Sequence, residues 1–304
     1  MARFGWGSSG LALSVLLFGG LTLQSLDAGA REPDSGTLWA LRGAHNTVYI
    51  AGSMHMLAAN DSVLPATLQR AYADAERLIM EIDIDDLDPA AAGAFTQTNG
   101  TLANGEPDLQ EQLGKRRWDR VQRQCTRLSL PCDTLRRLEP WALALVMSVS
   151  ELTRLGLDPQ LGVEEQLRRQ AAADHKEIGG LETLEFQLGL FDALSGPEQL
   201  QLLDMTLAEM GRQNDAVDKL SRAWRRGDLR TLEGLLLGEY RRFPALYDTL
   251  VYRRNAKWVP QVRELLQRGD DYLVVVGALH LVGPRGLIAL LARDGLKPQR
   301  ILTQ

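Results

Sequence analysis

The chain has 304 residues, 45% of them apolar and 24% charged, with 34 basic against 39 acidic side chains. A net charge of −5 with only four histidines and two cysteines excludes zinc-finger arrays, four-cysteine iron–sulfur clusters and a disulfide-dense scaffold. It also gives no long-range pull toward nucleic acid, and no basic stripe is read that would reverse this.

Residues 1–30 carry the parts of a secretory signal peptide: a basic start at Arg3, an apolar core over about residues 11–23, and Ala28-Gly29-Ala30 as the cleavage site. The core is shorter than the roughly 20 apolar residues that span a bilayer. The mature chain, 31–304, is therefore expected in the periplasm or outside the cell, without a stable membrane anchor. Removing residues 1–30 takes away one Arg and one Asp and leaves the charge at −5.

Beyond the leader, residues 37–42 and 47–51 are strand-like runs around the turn-rich Gly43-Ala44-His45-Asn46, which predicts a hairpin. A helix is predicted over 64–76 and a strand over 77–84, Arg-Leu-Ile-Met-Glu-Ile-Asp-Ile. The Ala-, Gly-, Thr- and Asn-rich stretch 85–107 reads as a loop or lid. Helices are predicted over 141–155, 161–173, 184–194, 197–226, 228–240 and 243–266, with Pro260 marking a kink or new start and a short strand at 176–180. Strand 271–276, helix 284–293 and strand 299–302 close the chain. Strands at both ends and helices between predict a single α+β domain with a central mixed sheet built from both chain ends. In an oxidising compartment Cys125 and Cys132, in Cys-Thr-Arg-Leu-Ser-Leu-Pro-Cys, are expected to close a local disulfide.

Two segments match across more than 200 residues: Thr-Val-Tyr-Ile-Ala-Gly-Ser-Met-His, ending at His55, and Asp-Tyr-Leu-Val-Val-Val-Gly-Ala-Leu-His, ending at His280. Each is a strand that stops at glycine and presents histidine three residues later. In open sheets ligands gather just beyond strand ends, so both imidazoles are placed where chemistry occurs. Glu81 lies in a strand that reads as buried, where a carboxylate is costly unless paired, hydrogen-bonded or bound to a cation. A salt bridge to a buried arginine answers that cost as well as a site role does. Two imidazoles and a carboxylate suit a divalent metal with positions left for water, or a metal-free site in which one histidine is general base toward water. His45 and His175 lie in a turn and a solvated run and are left out.

These motifs, with Leu38-Trp39, Gly52-Ser53-Met54-His55, the Glu81 strand, Gly179-Gly180-Leu181-Glu182-Thr183, Arg254-Asn255 and Gly277-Ala278-Leu279-His280-Leu281, make the chain resemble the TraB/GumN family. That family is similar to the Tiki membrane proteases and, more distantly, to erythromycin esterases and haem-binding ChaN proteins. The resemblance implies that His55, Glu81 and His280 line one site, completed by Arg254 as oxyanion stabiliser or carboxylate clamp. By the Tiki likeness it implies a metal-dependent peptidase, with Mn, Co and Zn not distinguished, whereas the esterase branch need not use metal. Family members often carry Gly-Val-Asp where this chain has Gly162-Val163-Glu164, so no role is assigned to Glu164. The leading expectation is an exported hydrolase of a peptide or small-molecule substrate. A periplasmic haem-, metal- or small-ligand-binding protein without turnover is the alternative, and an inactive scaffold the third.

Overall fold

The computed structural model describes residues 36–303 apart from 84, 86–88, 211–213 and 239–241. The expected signal peptide and its cleavage site lie outside the described residues. No described helix is long and apolar enough to cross a membrane.

The expected hairpin is formed by β1 (Leu38–Arg42) and β2 (Thr47–Ser53), antiparallel and in register from Leu38 opposite Ala51 to Arg42 opposite Thr47. Four further strands join them: β3 (Arg77–Ile82), β4 (Ile178–Glu182), β5 (Tyr272–Gly277) and β6 (Gln299–Arg300). The spatial order is β4-β3-β5-β2-β1-β6, so both chain ends meet in one mixed sheet, as the α+β reading required. β4, β3, β5 and β2 run parallel to one another, while β1 and β6 are antiparallel to their neighbours. Parallel strands are buried on both faces, and every residue of Tyr-Leu-Val-Val-Val-Gly in β5 is accordingly buried. Val48, Ile50, Tyr272, Val274 and Val276 alternate onto one face, where Trp258, Val262 and Leu265 of helix Arg253–Leu265 and Leu287 and Leu291 of helix Leu287–Arg293 cover them.

Contacts divide the chain into two compact units. One takes the described chain up to Asp85, Asp158–Thr183 and Gln213 onward; it contains the sheet and helices Ala66–Asp74, Val163–Asp174 and Arg253–Leu265. The other, Asp86–Leu157 with Leu184–Arg212, is helical. Within it, Asp108 caps helix Leu109–Leu128 through a capping box with Glu111, and Trp141 stacks on Phe191 with ring centroids 6.2 Å apart.

Several expectations are corrected here. The supposed lid contains helix Pro89–Asn99: the alanine run that reads as loop composition is also good helix former, and proline costs nothing at the first helical position. The long helix expected over 197–226 is two, Gly196–Glu209 and Asn214–Arg226. Helix Arg253–Leu265 runs through Pro260 without ending. Cys125 and Cys132, expected as a disulfide, stand within hydrogen-bonding reach of each other, with no S–S bond drawn between them. Helix Leu109–Leu128 does carry a basic face. Lys115, Arg116, Arg120 and Arg123 line one shallow groove with Asp119, while Arg117 and Arg120 converge on Asp204.

Candidate functional site

The parallel strands β2, β3, β4 and β5 deliver their carboxyl ends to one edge of the sheet, with Ser53 opposite Gly277 and Ile82 opposite Glu182. His55, Glu81, Glu182 and His280 therefore emerge together, because adjacent strands lie only about 4.8 Å apart. Gly52 allows the close packing at the first turn: a Cβ there would meet the Thr37 hydroxyl at 2.6 Å, and the Gly52 carbonyl accepts from Trp224 Nε1 at 2.7 Å.

Arg254 is the hub. It follows the π-helical turn Asp248–Tyr252, a wide turn of the kind found at functional sites, and is 3% exposed. Its Nη2 donates to Glu81 Oε2 at 2.6 Å, its Nε to Glu182 Oε2 at 2.9 Å, and its Nη1 to the Leu250 carbonyl at 3.1 Å. Nη1 also stands 3.2 Å from His280 Nε2. These contacts engage all three guanidinium nitrogens. The ring of Trp258, one helical turn on, lies beneath the guanidinium at 5.0 Å and 4.6 Å from the His280 ring. Glu81 is thus salt-bridged to a buried arginine, the pairing that answers the cost of its burial. Its other oxygen accepts from the Gly277 N–H at 2.7 Å. Burial opposes ionisation of Glu81, but Arg254, the two histidines and the Gly277 N–H overcome it and hold the carboxyl well below its ordinary range.

His280 is 2% exposed; its Nδ1 lies 2.6 Å from Asn255 Oδ1. Burial, with the positive charge of Arg254, pushes its pKa down to about 3 against the raising effect of Glu81. His55 goes the other way. Burial alone would lower it, but the charge of Glu164, its hydrogen-bonding reach and the more distant Glu81 outweigh burial and raise the pKa above the ordinary value. His55 Nδ1 is 2.7 Å from Glu164 Oε1, in a contact close but poorly aligned for a hydrogen bond, and the Ser53 hydroxyl donates to the same oxygen. His55 Nε2 is buried and has no partner among the described residues. The field of His55 reaches Glu81 and His280, so the four expected residues form one electrostatic unit.

Glu164 is the residue sequence reasoning set aside. It is brought to His55 by the turn before helix Val163–Asp174, where the Val163 N–H donates to the Met54 carbonyl at 3.0 Å. A Cβ at Gly162 would lie 2.1 Å from the His55 carbonyl oxygen, so only glycine admits that approach. Gly162-Val163-Glu164 held the signal. Asn255, fully buried beside Arg254, was quoted only as a marker. His45 and His175 are exposed, as expected, with His175 capping a helix at φ 56°.

A divalent ion on His55, Glu81 and His280 does not fit the residues as arranged. His280 Nε2 faces a guanidinium, Glu81 has one oxygen on Arg254 and the other on Gly277, and a dication between them would sit against a fixed positive charge. Among the described residues no group of three or more His, Cys, Asp or Glu side chains stands together as metal ligands would.

The fold and site define an α+β protein with a buried histidine–carboxylate–arginine cluster at the carboxyl edge of its parallel strands. The model of the TraB/PrgY/gumN family matches residues 37–300, and the chain belongs to that family. It is 27% identical over 270 residues to "Uncharacterized protein YbaP" of Escherichia coli (strain K12), covering 84% of this chain and 97% of that protein. The identity and coverage are the same for the protein of that name from Shigella flexneri. No solved structure matches.

Proposed function

We propose that the protein is an exported hydrolase of an acyl bond, peptide or ester, in which His55 is general base toward water. The observation that carries this reading is the His55–Glu164 pair: one ring nitrogen faces a buried carboxylate, and the other is buried without a partner among the described residues. That is the arrangement of a general base whose imidazolium is stabilised as it forms. The guanidinium of Arg254, held in place by Glu81 and Glu182, is the positive group at hand for a developing oxyanion. Export rests on the leader at residues 1–30.

The test is hydrolysis of peptide and ester substrates by the mature protein and by His55→Ala, with chelator and with added Mn, Co or Zn. Turnover that survives chelation and is lost in His55→Ala supports the reading. Turnover that requires one of the ions restores the metal-dependent peptidase expected from the Tiki likeness. Stoichiometric ligand binding without turnover favours a binding protein instead.

A further inference from the structure

We infer that Asn255 is a positioning residue that locks His280 into the neutral tautomer protonated on Nδ1, so that Nε2 serves as a fixed acceptor orienting the Arg254 guanidinium. Asn255 Nδ2 stands 3.2 Å from the carbonyl oxygen of His280 and 3.0 Å from that of Arg285. Carbonyls only accept, so the amide nitrogen must face them; a flipped amide would press oxygen against two oxygens. Asn255 Oδ1 then has to accept from His280, and at 2.6 Å the hydrogen lies on Nδ1.

The other side of the ring is decided by Arg254, which always carries its hydrogens. With Nη1 3.2 Å from Nε2, a second proton on the ring would set two donors against each other. Glu81 Oε1, 3.8 Å from Nε2, is too far to accept from it and already accepts from the Gly277 N–H. Trp258 against the ring and near-complete burial add a cost to charging it. Every donor is then fixed: Arg254 donates to Glu81 and to His280, and His280 donates to Asn255, so no proton is free to move. His280 is thereby set apart from His55, whose Nε2 is open.

The inference deepens the proposed hydrolase reading, but the tautomer belongs to the resting protein, so it can fail while that reading stands. The experiment is ¹⁵N–¹H correlation of the histidine side chains in the uniformly labelled mature protein at pH 7, with the His280 signals assigned by their disappearance in His280→Gln. The expected result is a pyrrole-type Nδ1 and a pyridine-type Nε2 for His280. The reverse pattern, pyrrole-type shifts on both nitrogens, or averaged shifts of a ring exchanging tautomers would each overturn it. Asn255→Ala supplies a second reading: without its acceptor the Nδ1–H of His280 should shift upfield and exchange faster with water, and an unchanged Nδ1–H signal in that folded variant would overturn the lock. Should Asn255→Ala not fold, the wild-type spectrum alone decides.

Discussion

At the end of β2, His55 faces a carboxylate; one strand over, at the end of β5, His280 faces a guanidinium. The two rings leave their strands through the same glycine-x-x-histidine spacing, and Ser53 and Gly277 pair directly across the sheet. Their partners come from elsewhere: Glu164 from the helix after Gly162, Asn255 and Arg254 from the helix after the π turn. The spacing determines where each imidazole emerges, and the neighbouring helices determine what it can do there. A carboxylate raises one pKa and leaves an open base, whereas burial and an arginine lower the other and leave an acceptor.

The sharpest way to break this comparison is to remove each ring in turn. His55→Ala is expected to lower turnover by about 10²- to 10⁴-fold, the range for a general base, with the smaller effect on stability of the two because it takes a partner from Glu164 alone. His280→Ala is expected to lower turnover less and stability more, since it unseats Arg254. Steady-state kinetics and urea unfolding on the same samples check both. Equal kinetic losses with equal stabilities would abolish the division of labour.

Arg254→Met tests whether the His280 side is held together by charge. It leaves Glu81 and Glu182 buried without their cation, and breaking such a pair costs about 3–5 kcal/mol. Denaturant unfolding should show a loss of that order, and His55 should keep its raised pKa because Glu164 is untouched. A loss below about 1 kcal/mol would mean that the hub does not bind the cluster together.

The two pKa shifts have opposite linkage to stability. For His280, lowered to about 3, the unfolded chain takes up the proton first, so stability falls as pH drops from about 6.5 toward 3. For His55, raised above its ordinary value, the contribution is present below about pH 6.5 and is lost as pH rises through the folded pKa. Glu81, held low, adds a loss only below about pH 4.5. Unfolding free energies between pH 5 and 8 should therefore lose their low-pH slope in His280→Gln and their high-pH decline in His55→Gln. The same change in both variants would show that the two rings do not differ in environment.

Much of this was legible beforehand, for stated physical reasons. The apolar run Leu-Val-Val-Val read as a strand, and the Gly-x-x-His pair put both histidines at strand ends. Glu81 was legible because an ionisable residue inside an apolar strand demands a partner. What stayed hidden were contacts that depend on which helix packs where. The carboxylate of Glu164 reaches His55 only because a glycine lets two backbones touch, and Asn255 fixes a proton only because two carbonyls converge on its amide. The helix Pro89–Asn99 was hidden because alanine-rich composition suits helix and loop alike.

The smallest effect expected is also the one that refines the His55 side furthest. The Ser53 hydroxyl donates to Glu164 Oε1, the oxygen that also faces His55 Nδ1. Ser53→Ala removes one hydrogen bond to a buried carboxylate, about 1–3 kcal/mol if the oxygen is left unsatisfied, and less if His55 draws closer. Because Glu164 keeps its charge and its backbone tether through the Val163 N–H, the base remains, and turnover should change by less than tenfold. The His280 signals should not move, since the Ser53 hydroxyl donates to Glu164 on the His55 side. If Ser53→Ala instead abolishes turnover as completely as His55→Ala while the protein unfolds at the wild-type midpoint, Ser53 takes part in the chemistry. His55 would then serve a hydroxyl nucleophile in place of water.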